Sequence, residues 1–326
     1  MKLRTFGRSG IQVSEVIFGG GNVGGIIILK DDATKREAIR RAMAGGINWV
    51  DTAAQYGNGK SEEALSWLLP EAGYKPYLST KVSLDVDNLN DIPGQLETRV
   101  RAGLARLKRD SVDVMQLHNR IGAKAGGRVL TVETVLGKNG VADGLERLRE
   151  KGLFRYMGIT AIGEAPSVCE VINSGRFDSA QVYYNLLNPS AARSMPAAWT
   201  GDRQSGVIDA CRANKMAVMA IRIFAAGIIA GDERTGRESM LVANTTVAEE
   251  ERKTKAVFDA IGADQGTRGQ VALRFVLSNP DVSCAIIGMA ELQHLDEALQ
   301  AQAMGPLPPA VLARLDALYD SDFGRV

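Results

Sequence analysis

The chain has 326 residues and a mass of 34.9 kDa, with 45% hydrophobic and 24% charged residues, enough to bury a large globular core. Thirty-nine Lys and Arg against 38 Asp and Glu leave a formal charge of +1, so no global field recruits nucleic acid or anionic lipid. No stretch approaches the roughly 20 apolar residues of a membrane span, and the N-terminus lacks the apolar run of a secretory signal. The three cysteines, Cys169, Cys211 and Cys284, have no metal-ligand spacing and fit small buried thiols of a reducing, cytoplasmic compartment.

Residues 1–15 set a Gly-Arg-Ser-Gly turn between Leu3–Phe6 and Ile11–Val13, which predicts a β-hairpin. Strand-like runs follow at 16–18, 47–50, 77–80, 112–117, 156–159, 179–183, 217–221 and 283–287. Helix-like runs lie between them at 32–44, 61–69, 93–108, 141–151, 165–174, 206–214 and 267–278, then 291–301. Ser61 before Glu62-Glu63 suits an N-cap and Pro93 a first helical turn, while Gly45-Gly46, Gly152 and Gly175 stand where helices should end. Two connections are long: 119–140, rich in Gly and Lys/Arg, after the fourth strand, and 222–266 after the seventh. The second holds a turn at 231–236 and a predicted helix at 247–261; Pro306, Pro308 and Pro309 then introduce a last helix near 310–319.

Eight alternating strand–helix units argue for parallel pairing through right-handed crossovers. The simplest closure is a single α/β domain over 1–326, a (β/α)8 TIM barrel whose bottom the N-terminal hairpin closes. A doubly wound open sheet is the competing arrangement. In the barrel, the long loops after strands four and seven lie on the active-site face.

Gly19-Gly20-Gly21-Asn22-Val23-Gly24 matches G-x-G-x-x-G after a strand. The dinucleotide fingerprint also needs its last glycine to open a helix. Here Gly25 and Ile26-Ile27-Ile28-Leu29 follow, and the first helix is predicted only from Asp32. Gly20, Gly21 and Asn22 fit better as backbone approaching a ligand over the barrel mouth.

Asp51, Tyr56, Lys81 and His118 carry the chemistry. Asp51 follows Ile47–Val50, Tyr56 lies in the next loop, Lys81 follows Tyr77–Thr80, and His118 closes Val112–Leu117. Singly each has a bland reading, as a loop cap, a half-buried aromatic, a surface lysine or a satisfied histidine. Together they fall beyond the carboxyl ends of strands two, three and four, where such barrels hold catalytic residues. A free tyrosine, with a pKa of about 10, is a poor proton donor, and a neighbouring ammonium is expected to lower that value. With Asp51 holding Lys81 charged, Tyr56 can protonate a carbonyl oxygen that His118 orients. None of the four supplies a hydride, so a nicotinamide must bring it. No clustered His and carboxylate ligands stand at the strand ends for a metal.

The segments LRTFGRSGIQVSEVIFGGGNVGG, GINWVDTAAQYGNGKSEEALSWLL, LSTKV, LHN, YMGIT, SAQVYYNLLN, FAAGIIAG and AIIGMAELQHLDEAL, in this order, resemble the aldo-keto reductase family over residues 1 to about 301. The resemblance implies that Asp51, Tyr56, Lys81 and His118 are a catalytic tetrad and that NADPH lies across the barrel mouth. Gln181 matches the glutamine that holds the nicotinamide carboxamide, with Thr160 at the usual serine and Ala161 in place of a common asparagine. The cofactor is then expected along Gly20, Gly21, Asn22 and Asp51, and along Arg222, Phe224 and Gly227 after strand seven. Ile221-Arg222-Ile223-Phe224 replaces the Tyr-Ser-Pro-Leu of many relatives, giving an aliphatic face. The adenosine end falls on Gly288, Met289, Gln293 and His294, where this chain has no Lys or Arg. NADP(H) is favoured and NAD(H) possible. The implied activity interconverts a small-molecule carbonyl and its alcohol; the alternative is a cofactor-binding regulatory subunit that senses nicotinamide redox state with little turnover.

Overall fold

The computed structural model describes residues 1–199, 201–232, 236 and 245–325. The chain opens with strands β1 (Leu3–Thr5) and β2 (Gln12–Ser14), an antiparallel hairpin whose turn holds Gly10 at φ 76°. Next come β3 (Val16–Gly19), β4 (Trp49–Asp51), β5 (Tyr77–Val82) and β6 (Val112–Leu117). The loop after β6 contains two short strands, β7 (Arg120–Ile121) and β8 (Val129–Leu130). Strands β9 (Phe154–Ala161), β10 (Ser179–Tyr183), β11 (Ala217–Ile221) and β12 (Cys284–Gly288) complete the set.

Strands β3–β6 and β9–β12 form a closed barrel in which every neighbouring pair is parallel, so the barrel and not the open sheet is correct. β12 closes the seam against β3, pairing Ala285–Gly288 with Val16–Gly19. The hairpin caps the barrel bottom as expected. Phe6 lies 4.6 Å from Trp49, ring centre to ring centre, and Trp49 lies 5.5 Å from Tyr77. Val13, Ile17, Val114, Met219 and Cys284 fill the space around them. Arg4 ties the hairpin to the far end of the chain by donating to the carbonyls of Leu277, Asn279 and Val282.

Helix 32–44 and helix 247–261 match their predicted spans. There are four differences. β4 starts at Trp49, and the Asn48 side chain before it bridges Ser14 N (2.8 Å) and Gln12 O (2.8 Å) of the hairpin. β5 runs on through Lys81 and Val82, which pair with Gln116 and Leu117, so Lys81 lies inside its strand. Ser61 is not the N-cap: Gly59, at φ 90°, occupies that position, and the buried Ser61 hydroxyl instead meets Thr52 Oγ1 at 2.7 Å. Ile26–Leu29 forms a single helical turn that a run of three β-branched residues does not suggest; burial of Ile26 and Ile27 outweighs their weak helix preference.

A short helix, Val132–Leu136, also forms within 119–140, capped by Thr131. Pro93 sits in the first turn of helix Ile92–Leu107 as expected, and Gly46, Gly152 and Gly175 take the left-handed backbone of helix ends. The turn expected at 231–236 lies largely outside the described residues. Among those described, no helix is long and apolar enough to cross a membrane.

Phe6 is fully buried under Trp49. Phe6→Ala should lower the unfolding free energy by about 3–5 kcal/mol, seen as an earlier urea midpoint; an unchanged midpoint would mean the hairpin plug contributes little.

Candidate active site

Parallel pairing brings the carboxyl ends of β4, β5 and β6 together, and the four chemistry-bearing side chains meet there. Lys81 Nζ donates to Asp51 Oδ2 (2.5 Å), to the Thr52 carbonyl (2.8 Å) and to Tyr56 Oη (3.2 Å). An ammonium has three protons, so all are committed. Asp51 Oδ1 accepts from Ser79 Oγ (2.7 Å) and Gln181 Nε2 (2.8 Å). Ser79 Oγ in turn accepts from Trp49 Nε1 at 3.0 Å.

These bonds have one possible direction. Indole N–H only donates, so the Ser79 proton is left for Asp51, and every partner of Asp51 donates to it. Because Tyr56 Oη accepts from Lys81, its own proton must lie off that line and is available to a ligand. The His118 ring stands 5.9 Å from the Tyr56 ring at 89°, edge to face. Both rings are half-buried, whereas Asp51 and Lys81 are buried.

Burial sets the direction of each titration. Burial pushes the Tyr56 phenol above its ordinary value; Lys81 pulls it back, Asp51 adds to the rise, and the net is upward. The lowered phenol expected from Lys81 alone is therefore corrected: desolvation outweighs the neighbouring ammonium. Burial opposes the charge on Lys81, but Asp51 and Tyr56 together overcome it and raise its pKa. His118 is held well below the ordinary imidazole value by burial, with Lys81 and Arg128 adding repulsion. It is a neutral ring.

The expected cofactor residues divide into three groups. Thr160 and Gln181 stand opposite each other in the β9–β10 ladder. The Thr160 hydroxyl is buried with no hydrogen-bond partner among the described residues, which suits a ligand amide, while Gln181 also holds Asp51. At the mouth, a Cβ on Gly20 would approach Ser61 Oγ to 2.5 Å, and Gly21 lies against the Tyr56 ring. Asn22 spends its side-chain oxygen on Gly57 N (2.5 Å), tying the β3 and β4 loops together. Beyond β11, Arg222 has φ 61°, and its guanidinium shares the surroundings of Tyr183 and Glu250; half-buried Phe224 and Gly227 (φ 103°) follow.

At the far end, Gly288 closes β12, and Met289 is buried with its backbone against Gly24. His294 Nδ1 accepts from Ala290 N (3.2 Å) at the start of helix Leu292–Met304, and Gln293 donates to Glu297 (2.9 Å). Sequence reasoning missed a charge here. Lys30, from the exit of the Ile26–Leu29 turn, meets Glu291 at 2.5 Å. It also missed Ser79, Trp49 and the Thr52 carbonyl; only the alternation of inward positions along β4 and β5 hinted that Trp49 and Ser79 share the barrel interior with Asp51 and Lys81.

The His118 result can be checked directly. With ring-labelled histidine and His294→Gln removing the second signal, the His118 titration midpoint should lie below that of an unperturbed imidazole. A midpoint at or above the unperturbed value of about 6.5 would mean that the ring is solvated.

A family model described as Aldo/keto reductase family matches residues 15–320. The chain is 23% identical to the uncharacterized oxidoreductase YqkF of Bacillus subtilis, over 92% of this chain and 91% of that one. It is 25% identical to a probable voltage-gated potassium channel subunit beta of Oryza sativa, over 98% and 97%. In fold it is similar to the aldo-keto reductase AKR11C1 from Bacillus halodurans in its holo form, with a TM-score of 0.76 at 21% identity, covering 98% of this chain and 96% of that one. With the family model spanning nearly all of the closed barrel, the chain belongs to the aldo/keto reductase family of oxidoreductases.

Proposed function

We propose that the protein interconverts an aldehyde, ketone or aldose carbonyl with its alcohol, using NAD(P)(H). The observation that carries this reading is the Lys81 ammonium, which donates both to the donor-surrounded Asp51 and to Tyr56 Oη and so turns the phenol proton outward. A bound nicotinamide supplies the hydride. Tyr56, its proton turned away from Lys81, donates to the carbonyl oxygen as charge develops there. Lys81, kept cationic by Asp51, steadies the phenolate left behind. Neutral His118 hydrogen-bonds the same oxygen and polarises it. Thr160 and Gln181 hold the carboxamide, which gives the orphaned Thr160 hydroxyl its partner.

A second reading, a cofactor-binding regulatory subunit with little turnover, draws support from the likeness to the rice channel subunit. Single-turnover hydride transfer across a carbonyl panel separates the two. The wild type should transfer hydride, and Tyr56→Phe should lose on the order of 10²–10⁴ in rate with cofactor affinity near wild type. Equal rates in both proteins would remove Tyr56 as the acid. No transfer by the wild type to any carbonyl would favour the regulatory reading.

Cofactor choice follows from the adenosine end. Residues 288–294 carry no Lys or Arg, and Lys30, which reaches them, is paired with Glu291. NADP(H) should therefore be preferred by less than about 100-fold, or about 2.7 kcal/mol. Glu291→Gln, which frees Lys30 for a 2′-phosphate, should raise that preference. Fluorescence titration with NADPH and NADH measures both. A thousandfold preference in the wild type would require a phosphate clamp elsewhere, and a preference for NADH would reverse the assignment.

A further inference from the structure

We propose that the carbonyl substrate carries an anionic group, a carboxylate or a phosphate, and that Arg128 receives it beside Tyr56 and His118. The inference rests on the oxidoreductase reading above and adds the chemical class of the substrate.

The Gly- and Arg-rich loop after β6 is built to present this side chain. β7 and β8 pair in parallel, with Arg120 opposite Val129 and Arg120 N donating to the Arg128 carbonyl at 2.9 Å. Gly126 and Gly127, at φ 152° and 58°, turn the chain ahead of β8, and Gly126 and Val129 exchange backbone bonds of 3.2 and 2.9 Å across that turn. Arg128 is thereby fixed at the mouth of the pocket.

Its guanidinium is positioned by neutral acceptors. Nη2 donates to Gln55 Oε1 (2.5 Å) and, at 3.4 Å, to the carbonyl of His118. Gln55, the loop residue immediately before Tyr56, is itself oriented by donating to Ser83 Oγ at 2.9 Å. These contacts hold the fork without cancelling its charge. Nε and Nη1 make no hydrogen bond with the described residues, and no carboxylate among them pairs with Arg128. By contrast Arg4, Arg8, Arg106, Arg176 and Arg193 each meet an acid. The charged neighbour of Arg128 is Arg120, a like charge whose own field reaches Asp202.

Among the described residues, the catalytic centre itself offers no compensation. Asp51 and Lys81 neutralise one another, and His118 is neutral. A positively charged fork with open N–H groups, placed against the residues that would handle the carbonyl, is the geometry of bidentate carboxylate or phosphate recognition.

Matched substrates test this. The cofactor-loaded protein is assayed with succinic semialdehyde against butanal, and with glyceraldehyde 3-phosphate against glyceraldehyde. In the wild type, kcat/KM for the charged member of at least one pair should exceed that of its neutral partner by about tenfold or more, and the pair with the larger gap identifies the anion. Arg128→Met should shrink that ratio by about tenfold, bringing it towards unity, the low end of the effect of one charge-assisted contact. Arg128→Lys should fall between, since it keeps the charge and loses the fork. Using the ratio removes any effect of Arg128 on Tyr56 and His118 that both substrates share.

Neutral substrates favoured in both pairs, or a ratio unchanged in Arg128→Met, would overturn the assignment while leaving the oxidoreductase reading intact. Failure to reduce any of the four would instead count against that reading. Calorimetric titration with succinate and with inorganic phosphate needs no turnover. Binding by the wild type that is lost in Arg128→Met supports the anion site, and equal or absent binding in the two proteins overturns it.

Discussion

Asp51 and Lys81 face each other at 2.5 Å inside the barrel, with side chains 2% and 0% exposed. Removing both charges from water costs several kcal/mol per ion, and their attraction alone offsets this only when the remaining donors and acceptors are also satisfied. Here they are: Ser79 and Gln181 complete the carboxylate, and Thr52 and Tyr56 complete the ammonium. The pair is therefore tolerated as a network, and the network fixes where the Tyr56 proton can point. Loss of one member would leave its partner as an uncompensated buried charge, so Asp51 and Lys81 carry stability as well as chemistry.

The same network joins the two ends of the barrel interior. Trp49 packs between Phe6 and Tyr77 in the bottom plug, yet its indole N–H reaches up to Ser79 and through it to Asp51. A second set lies behind β5: Thr80 and Arg106 bind the buried Glu62, whose helix begins directly after the Tyr56 loop. The polar centre is thus braced from below by an aromatic cluster and from outside by a helix–helix ion pair.

The barrel was legible because strand and helix periods alternate with few interruptions, and glycines at 45–46, 152 and 175 mark where helices stop. Asp51, Lys81 and His118 were legible because each follows or ends a strand-like run, and Tyr56 because it lies in the loop that follows Asp51. What escaped depends on register and long-range contact. Whether Lys81 lies in or after β5 is decided by its pairing with Gln116, which no local pattern encodes. The Ser61 hydroxyl resembled a cap and serves the core instead, since three left-handed residues, Gly57, Asn58 and Gly59, bring the chain into the helix from another angle. The sign of the Tyr56 shift was missed because a sequence displays the neighbouring ammonium but not the depth of burial. Lys30 and Glu291, 261 positions apart, could not be paired from spacing.

The seam between β3 and β12 has a consequence for synthesis. β3 is made long before β12, but its outer edge and that of β11 stay unpaired until Cys284–Gly288 has left the ribosome. The hairpin waits as well, since Arg4 finds its carbonyl acceptors only at Leu277–Val282. Two open strand edges and an apolar interior therefore persist until β12 emerges, a state prone to edge-to-edge association. Closure is a late, long-range event, so the nascent chain has a stronger need of chaperone protection than the finished barrel.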